Sequence, residues 1–219
     1  MRLRKQLLIV SWHDDRLIII MAKKSKFDGV SFSPTNVELW TPTLDVSSKG
    51  FRCVRGEFVT YWKQGRISRE VAAHLCRCWV LRHNDILVGY ITLFADKLIV
   101  QTELLDSENV RYRTFPAVKI GLLATDKRVR GAGTCLIEWA MDYITQILSP
   151  IVGVRFLTVD ALYDPDTNYD SSGFYEKFGF QFANPDETLP VSNGYRTMYF
   201  DLKPLIDVLP IQSDLEINE

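Results

Sequence analysis

A glycine-rich turn between an apolar run and an amphipathic segment carries the clearest chemical signal in the sequence. Residues 122–134 read Leu-Leu-Ala-Thr-Asp-Lys-Arg-Val-Arg-Gly-Ala-Gly-Thr. Backbone N–H groups at such a turn, aided by the dipole of the following helix, can bind a pyrophosphate. Gly131 and Gly133 allow close approach, and Arg128 and Arg130 add positive charge. The turn lacks the Gly-Lys-Ser/Thr of nucleotide phosphate loops and matches the dinucleotide fingerprint incompletely. Taken alone, it is also compatible with ordinary turn chemistry.

The elements around this turn alternate between strands and helices. The pattern predicts helices within Glu57–Leu75 broken near Gly65, a hairpin of strands Cys76–Arg82 and Ile86–Phe94, and a strand Val118–Ala124. Apolar residues at helical spacing predict a helix after the glycines. The remaining predictions are a strand Val154–Val159 closed by Asp160 and Ala161, a short helix Tyr169–Phe178 and a final antiparallel strand Tyr195–Leu202. Together they predict an α/β fold with a mixed, mostly antiparallel sheet, one central parallel pair and flanking helices.

Composition and charge limit the function classes only loosely. The 219 residues suit one domain, and a net charge of −1 favours no particular partner. Seven basic residues against two acidic ones lie between Arg52 and Arg82, a stretch that could attract an anionic cofactor or RNA or could be a solvated face. The four cysteines and three histidines fit neither a disulfide framework nor a metal site. We therefore expect reduced cysteines, a cytoplasmic location and no metal.

Three motifs resemble the GNAT superfamily of N-acetyltransferases over residues 51–202. Arg128-x-x-Gly131-x-Gly133 is similar to its Arg/Gln-x-x-Gly-x-Gly/Ala signature. The second motif is Asn168-x-x-Ser171-x-x-x-Tyr175, followed at residues 179 and 180 by Gly-Phe, with serine where the superfamily has alanine. A Val-Gly pair at residues 88 and 89 resembles its third-strand pair. Phe-Arg-Cys at 51–53, Leu-Ala-Thr-Asp at 123–126 and Gly-Val-Arg at 153–155 resemble the narrower group of acetyltransferase toxins from toxin–antitoxin pairs.

The resemblance implies an enzyme that uses acetyl-CoA as acetyl donor. Acetyl-CoA would lie between the two central parallel strands, splayed apart around it, and a backbone N–H near Leu123 would polarise the thioester carbonyl. Tyr175 would protonate the departing CoA thiolate, although an isolated tyrosine on a short helix is more often a half-buried aromatic. The residues that the resemblance places at the cofactor are Leu123, Ala124, Thr125, Arg128, Val129, Arg130, Gly131, Ala132, Gly133, Thr134, Asn168 and Tyr175.

Two departures from the superfamily pattern bear on activity. The glycine loop is two residues shorter than the Arg-Gly-x-Gly-x-Gly loop of many relatives, which predicts a tighter cradle or fewer N–H donors. The central strand carries no carboxylate where relatives often hold a general base. Asp160 could serve as a base but is more typical of a turn or cap, and Lys119 is more typical of a solvated strand residue. Cys135, expected in the first helical turn, is not predicted to be a nucleophile, so we expect direct transfer to the amine.

The acceptor amine is not identified by any sequence pattern. The main alternatives are a toxin-type enzyme that acetylates the aminoacyl end of charged tRNA and a non-catalytic acyl-CoA-binding module. A homodimer is compatible with the sequence, and no membrane segment is expected because charged residues interrupt the apolar runs near the N-terminus.

The predicted domain organisation is simple. Residues 1–21 form an extension that ends at a plausible alternative start, Met21, and residues 1–20 are expected to be dispensable. Residues 36–209 form the N-acetyltransferase domain, and residues 210–219 form an acidic tail.

Overall fold

An N-terminal hairpin precedes the main body of the chain. The computed structural model describes residues 8–13, 16–21, 27, 29–99, 105, 108–110, 112, 114–184, 186, 189 and 194–208. Strand β1, Leu8–His13, pairs antiparallel with β2, Arg16–Met21, and this two-stranded sheet is separate from the larger one. The extension at residues 1–21 stays a prediction, and the tail predicted at 210–219 lies outside the described residues.

An eight-stranded mixed sheet forms the centre of the molecule. Its strands are β3 Val37–Leu39, β4 Arg77–His83, β5 Ile86–Ile99, β6 Thr114–Thr125, β7 Phe156–Asp164, β8 Tyr169–Asp170, β9 Gln181–Phe182 and β10 Gly194–Asp201. Their spatial order is β3-β4-β5-β6-β7-β10-β9, and β8 pairs with the end of β7. Only β6 and β7 run parallel, joined by a crossover through a helix, and every other pair is antiparallel. The predicted mixed sheet with one central parallel pair is confirmed.

Helices cover both faces of this sheet. Helices α1, Gly56–Lys63, and α2, Arg66–Ala72, pack on one face over a core that includes Cys76 and Cys78. They are separated at Gly65, as the sequence predicts. On the other face lie α3 Ala132–Tyr143, which continues as a π-helical turn Ile144–Leu148, α4 Ser172–Glu176 and α5 Lys203–Ile206. The apolar stripe of α3 is fully buried there, because it faces the central strands.

The strands run further than their apolar cores indicate. The prediction that Asp160 and Ala161 close the fifth strand is wrong, because β7 continues to Asp164. Its partner β10 pairs with it along its whole length, from Asp201 opposite Phe156 to Gly194 opposite Tyr163. Asp160 is therefore a mid-strand residue. Such continuation depends on a partner strand distant in sequence, which local periodicity does not register.

Candidate active site

A fork in the central sheet creates the candidate site. Strands β6 and β7 pair over only four rows, from Ala117 opposite Phe156 to Ile120 opposite Val159. Beyond that row, residues 121–125 of β6 and 160–164 of β7 do not pair with each other, although each strand keeps its other neighbour. The two strands thus diverge toward their carboxyl ends, and the backbone groups that face the gap are available to a ligand.

A β-bulge in β6 marks the start of the fork. Gly121 and Leu122 together lie opposite Thr92 of β5, because the register shifts between Ile91 and Leu93. The Leu122 N–H donates to the Thr92 hydroxyl at 2.8 Å. A Cβ at Gly121 would lie 2.6 Å from the Phe94 ring and 2.9 Å from that hydroxyl, so only glycine fits there.

The bulge sets the direction of the Leu123 N–H. The N–H groups of Leu122 and Asp126 both point toward β5, where they bond Thr92 and the Val88 carbonyl. Successive N–H groups of an extended strand alternate in direction, so those of Leu123 and Thr125 point into the gap. Thr125 and Cys53 line the same cavity at this side of β6. The Leu123 N–H therefore points into the gap between β6 and β7, which is the direction that an oxyanion donor requires.

The glycine turn forms the N-terminal end of α3 beside the fork. Gly131 caps the helix with φ +79°, a left-handed conformation that favours glycine. The first helical bond runs from the Cys135 N–H to the Gly131 carbonyl. Within the described part of the chain, the N–H groups of residues 130–134 have no recorded acceptor. Despite its short loop, the turn thus leaves backbone N–H groups at the start of α3 that are suited to an anion.

The two arginines of the turn have different environments. The Arg128 guanidinium donates to both carboxylate oxygens of Asp126, at 2.7 and 2.6 Å, and to the Gly50 carbonyl at 2.6 Å. Asp126 is fully buried, and the backbone N–H groups of Arg128 and Arg52 also donate to it. Arg128 therefore holds the end of β6 to the segment before α1, and its predicted contact with the cofactor finds no support in this geometry.

Arg130 is the better placed of the two for an anion. It is exposed, and no ion-pair partner for it or for the exposed Lys127 is recorded among the residues that the structure describes. Both cations belong to the turn that carries these N–H groups. An anion bound there would meet unpaired positive charge as well as hydrogen-bond donors.

Two cavities meet at the fork. The smaller, about 250 Å³, runs from Thr125 and Gly133 at the glycine turn past Cys53. The larger, about 410 Å³, lies over the α1–α2 face of the sheet. Both cavities share the side chains of Phe58, Leu123, Tyr169, Ser171 and Tyr175. Leu123 and Tyr175, predicted to be catalytic, thus lie where a ligand from the glycine turn would meet a ligand in the larger cavity.

Tyr175 lies at the junction of the two cavities. Its ring is buried at 7% exposure and packs edge-on against Phe174 and at a tilt against Phe180. No hydrogen-bond partner for its hydroxyl is recorded among the described residues, and the side chain borders both cavities. Burial raises the pKa of the phenol, with a further contribution from Tyr169, so it stays protonated at neutral pH.

The larger cavity contains two carboxylates. Asp160 pairs with Lys119 at 2.6 Å and accepts a hydrogen bond from the Thr197 hydroxyl at 2.9 Å. Its charge is therefore compensated, which disfavours it as a general base. Glu70 of α2 lies on the opposite wall, where the Tyr61 hydroxyl donates to it. The sequence analysis missed Glu70, because only the packing of α2 brings it to this cavity.

An ion pair ties the two walls of the smaller cavity together. Arg55, at the start of α1, bonds Asp164 at the end of β7 at 2.5 Å, and both side chains are largely buried. The guanidinium lies 5.4 Å from the centre of the Tyr169 ring. Burial raises the pKa of the Cys53 thiol beside them, although N–H groups of Arg55, Thr125 and Val54 oppose that effect. No local sequence pattern indicates this contact, which spans 109 residues.

Four of the twelve predicted cofactor residues line a cavity, namely Leu123, Thr125, Gly133 and Tyr175, and the other eight line neither. Ala124 and Ala132 are buried in the two cores, and Val129 packs against the core with its N–H bonded to the Asp126 carbonyl. Asn168 is exposed and ends a 3₁₀ turn in the left-handed conformation, φ +49°. Asn168 thus shapes the loop before α4. Thr134 is half-buried in the first turn of α3 and offers its N–H.

Within the described residues, no group of three or more potential ligands could hold a metal ion. None of the helices described is both long and apolar enough to cross a membrane.

Solved structures with the same fold include one complexed with acetyl-methionyl-tRNAfMet and one bound with acetyl-CoA. No protein-family model and no curated protein matches the sequence. AtaT, complexed with acetyl-methionyl-tRNAfMet, is 22% identical with a TM-score of 0.64 over 77% of this chain and 95% of that one. A tyrosine-to-phenylalanine mutant of KacT is 21% identical with a TM-score of 0.63 over 79% and 98%. AtaTR bound with acetyl-CoA is 22% identical with a TM-score of 0.59 over 77% and 94%. The chain therefore has the GNAT fold that its motifs predicted.

Proposed function

We propose that this protein is an N-acetyltransferase that moves an acetyl group from acetyl-CoA directly to an amine. The observation that carries the proposal is the meeting of two cavities at Leu123 and Tyr175. The pyrophosphate of acetyl-CoA would bind the N–H groups of residues 130–134, and its pantetheine arm would follow the gap between β6 and β7. The acceptor would occupy the larger cavity. The acetyl-CoA complex of the similar AtaTR structure supports this assignment.

The site residues suit direct transfer. The amine nitrogen attacks the thioester carbon, and the negative charge that develops on the carbonyl oxygen is stabilised by the Leu123 N–H. The C–S bond then breaks, and the sulfur leaves with the bonding electrons and takes a proton from Tyr175. The proton lost by the amine returns to the tyrosine through solvent. Asp160, the carboxylate nearest the fork in β7, is neutralised by Lys119.

The two carboxylates of β7, Asp160 and Asp164, are paired with Lys119 and Arg55, and this lack of an unpaired base on the strands of the fork predicts the class of amine. A lysine side chain has a pKa near 10.4 and is almost fully charged at neutral pH, whereas an α-amino group has a pKa of about 7.7–8.0. The site should therefore prefer α-amines and other weakly basic amines. Release of CoA from acetyl-CoA should be measured with α-amine and lysine-like acceptors between pH 6 and 9. Binding of acetyl-CoA without turnover of any amine would instead favour a non-catalytic acyl-CoA-binding module.

A second candidate acceptor is the aminoacyl end of charged tRNA. AtaT is complexed with acetyl-methionyl-tRNAfMet in a structure similar to this chain. In this chain, α1 and α2 border the larger cavity and carry exposed basic side chains, among them Lys63, Arg66 and Arg69. Their position beside the acceptor cavity favours an anionic partner there.

Binding of tRNA would test this second candidate. It predicts an affinity that falls steeply between 50 and 200 mM salt and falls further when the three basic residues are replaced by glutamine. Affinity unchanged by either condition would remove it.

Protein partners and location are part of the proposal. AtaT is also found bound to the C-terminus of the antitoxin AtaR, so a protein that inhibits this chain by direct binding is a reasonable partner. We place the reaction in the cytoplasm, which agrees with four free cysteines among the described residues. A homodimer remains a prediction that sedimentation would test.

A further inference from the structure

The far wall of the larger cavity presents a carboxylate without a cation. Glu70 accepts a hydrogen bond from the Tyr61 hydroxyl through one oxygen, and the Cys76 thiol lies 3.9 Å from the other. Both neighbours are neutral donors. Their pKa values are raised, that of Tyr61 to about 12 first by its bond to Glu70, and that of Cys76 to about 11 first by burial. Both neighbours therefore stay protonated at neutral pH and leave the charge of the carboxylate uncompensated.

The other charged side chains that line the cavity cancel, and two arginines outside the lining, Arg66 and Arg77, lie near Tyr61 and Cys76. Lys119 is the only basic residue among the described residues that line it, and Lys119 is paired with Asp160 at 2.6 Å. Arg66 lies over the Tyr61 ring, 5.3 Å from its centre, but does not line the cavity. No ion pair of Glu70 is recorded within the described part of the chain. The lining thus carries one net negative charge, on the wall formed by α2.

Glu70 also keeps unused hydrogen-bonding capacity. A carboxylate has about four acceptor positions, and the two neighbours occupy at most two of them. The walls around it include the apolar surfaces of Phe58 and Phe94, which lower the local dielectric and strengthen a charged contact. A cavity of about 410 Å³ is large enough for a group the size of an amino acid.

We propose that Glu70 selects acceptors that carry a second, cationic group in addition to the attacked amine. Such an acceptor would place its amine at Leu123 and its cation at Glu70 of the same cavity. The chemical class is a basic amino acid or its aminoacyl ester or amide, with the α-amine as acetyl acceptor. The inference rests on the proposed function and specifies its substrate.

Binding of two matched amides tests this proposal without requiring turnover. L-Lysinamide and L-norleucinamide have the same carbon chain and differ in the terminal ammonium. Their affinities for the full chain should be measured by NMR titration in the presence of saturating CoA. A charge-assisted contact in a partly enclosed site stabilises binding by about 1.5 kcal/mol, so lysinamide should bind roughly tenfold more tightly.

Variants then assign the preference to the carboxylate. Glu70→Gln keeps the size of the side chain and an acceptor for Tyr61 but removes the charge, so the affinity ratio should fall to about 1–2. Glu70→Asp keeps the charge and should retain part of the preference. Glu138→Gln, a matched change on the exposed face of α3, should leave the ratio unchanged.

The possible failures are distinguishable. Equal affinities of the two amides in the wild type, no binding of either amide, or a ratio unaffected by Glu70→Gln would each overturn the role of Glu70. Failure of the proposed function would instead appear in separate measurements, as absence of saturable acetyl-CoA binding or as acetyl-CoA binding without turnover of any amine. The melting temperature of each variant verifies that the fold is intact.

Discussion

Separate substitution of the two arginines of the glycine turn should show that one stabilises the fold and the other binds the cofactor. Arg128→Ala removes the guanidinium that bonds both oxygens of Asp126, whereas Arg130→Ala removes an exposed cation with no recorded partner in the described residues. The two substitutions delete the same atoms two residues apart. We expect Arg128→Ala to lower stability and Arg130→Ala to weaken acetyl-CoA binding.

The magnitudes follow from burial. The Asp126 side chain is 0% exposed and that of Arg128 is 26% exposed. Removing one partner of a buried pair costs about 3–5 kcal/mol, and we expect about 3 because water can reach the arginine side. For a chain of this size, that loss lowers Tm by roughly 6–12 °C. Arg130→Ala should change the free energy of unfolding by no more than about 0.5 kcal/mol and weaken acetyl-CoA binding about threefold to tenfold.

Thermal denaturation and calorimetric titration with acetyl-CoA would measure both effects on the same samples. The reasoning is refuted if Arg128→Ala melts like the wild type, or if Arg130→Ala leaves the affinity for acetyl-CoA unchanged. A large loss of affinity in Arg128→Ala at unchanged Tm would restore Arg128 as a direct cofactor ligand.

The pH dependence of stability gives an independent check of the buried pair. Burial alone would raise the pKa of Asp126, but hydrogen bonds from the Arg128 side chain and from the N–H groups of Arg128 and Arg52 outweigh it and lower that pKa. The resulting stabilisation is complete above the ordinary aspartate pKa near 3.9 and is lost as pH falls through the lower folded value. Arg128→Ala removes part of the compensation, so acid unfolding of that variant should begin at a higher pH.

Three further substitutions test the catalytic geometry. Tyr175→Phe should reduce kcat by roughly 10²-fold with acetyl-CoA affinity within about twofold of wild type, and unchanged turnover would remove the acid role. Gly131→Val should lower the free energy of unfolding by about 1–2 kcal/mol, because valine is strained at the φ of +79° found there. It should also weaken acetyl-CoA binding strongly. Gly29→Val, at an exposed position with φ +77° and no contact within 4 Å, is its matched control, and equal affinity in the two variants would count against the cradle. Thr92→Val should lower the free energy of unfolding by about 1–3 kcal/mol and should lower kcat, because it leaves the Leu122 N–H unpaired. Thr92→Ser keeps the hydroxyl and should retain the stability and the kcat of the wild type. A normal kcat in Thr92→Val would show that the bulge is not needed for catalysis.

The sequence predicted what is local and missed what depends on distant packing. The glycine turn, the break at Gly65 and the apolar stripe of α3 follow from local spacing, and the structure has all three. A glycine such as Gly121 within an apolar strand is compatible with a bulge. The effect of this bulge on the direction of the Leu123 N–H depends on Thr92, which lies thirty residues before Leu122. Charge alone could not separate Arg128 from Arg130, because the two differ only in whether a buried carboxylate lies beside them.

The acceptor side of the site was least accessible to sequence reasoning. In the sequence, Glu70 is one of several charged residues in a segment predicted to be helical. Its place in the lining of the cavity depends on how α2 packs against the sheet. Asp160 was interpreted as a strand end because the apolar run stops there, yet its partner Thr197 lies on β10 and extends the strand past it. The contact between Asp160 and Thr197 spans 37 residues, beyond the reach of local periodicity.

A crystal structure of the protein with acetyl-CoA would test the central claim most directly. The account predicts the pyrophosphate on the N–H groups of residues 130–134, the pantetheine arm between β6 and β7, and the thioester carbonyl oxygen within about 3 Å of the Leu123 nitrogen. The sulfur should lie within hydrogen-bond reach of the Tyr175 hydroxyl. Acetyl-CoA bound outside the fork, or bound there with its thioester turned away from Leu123 and Tyr175, would contradict the account.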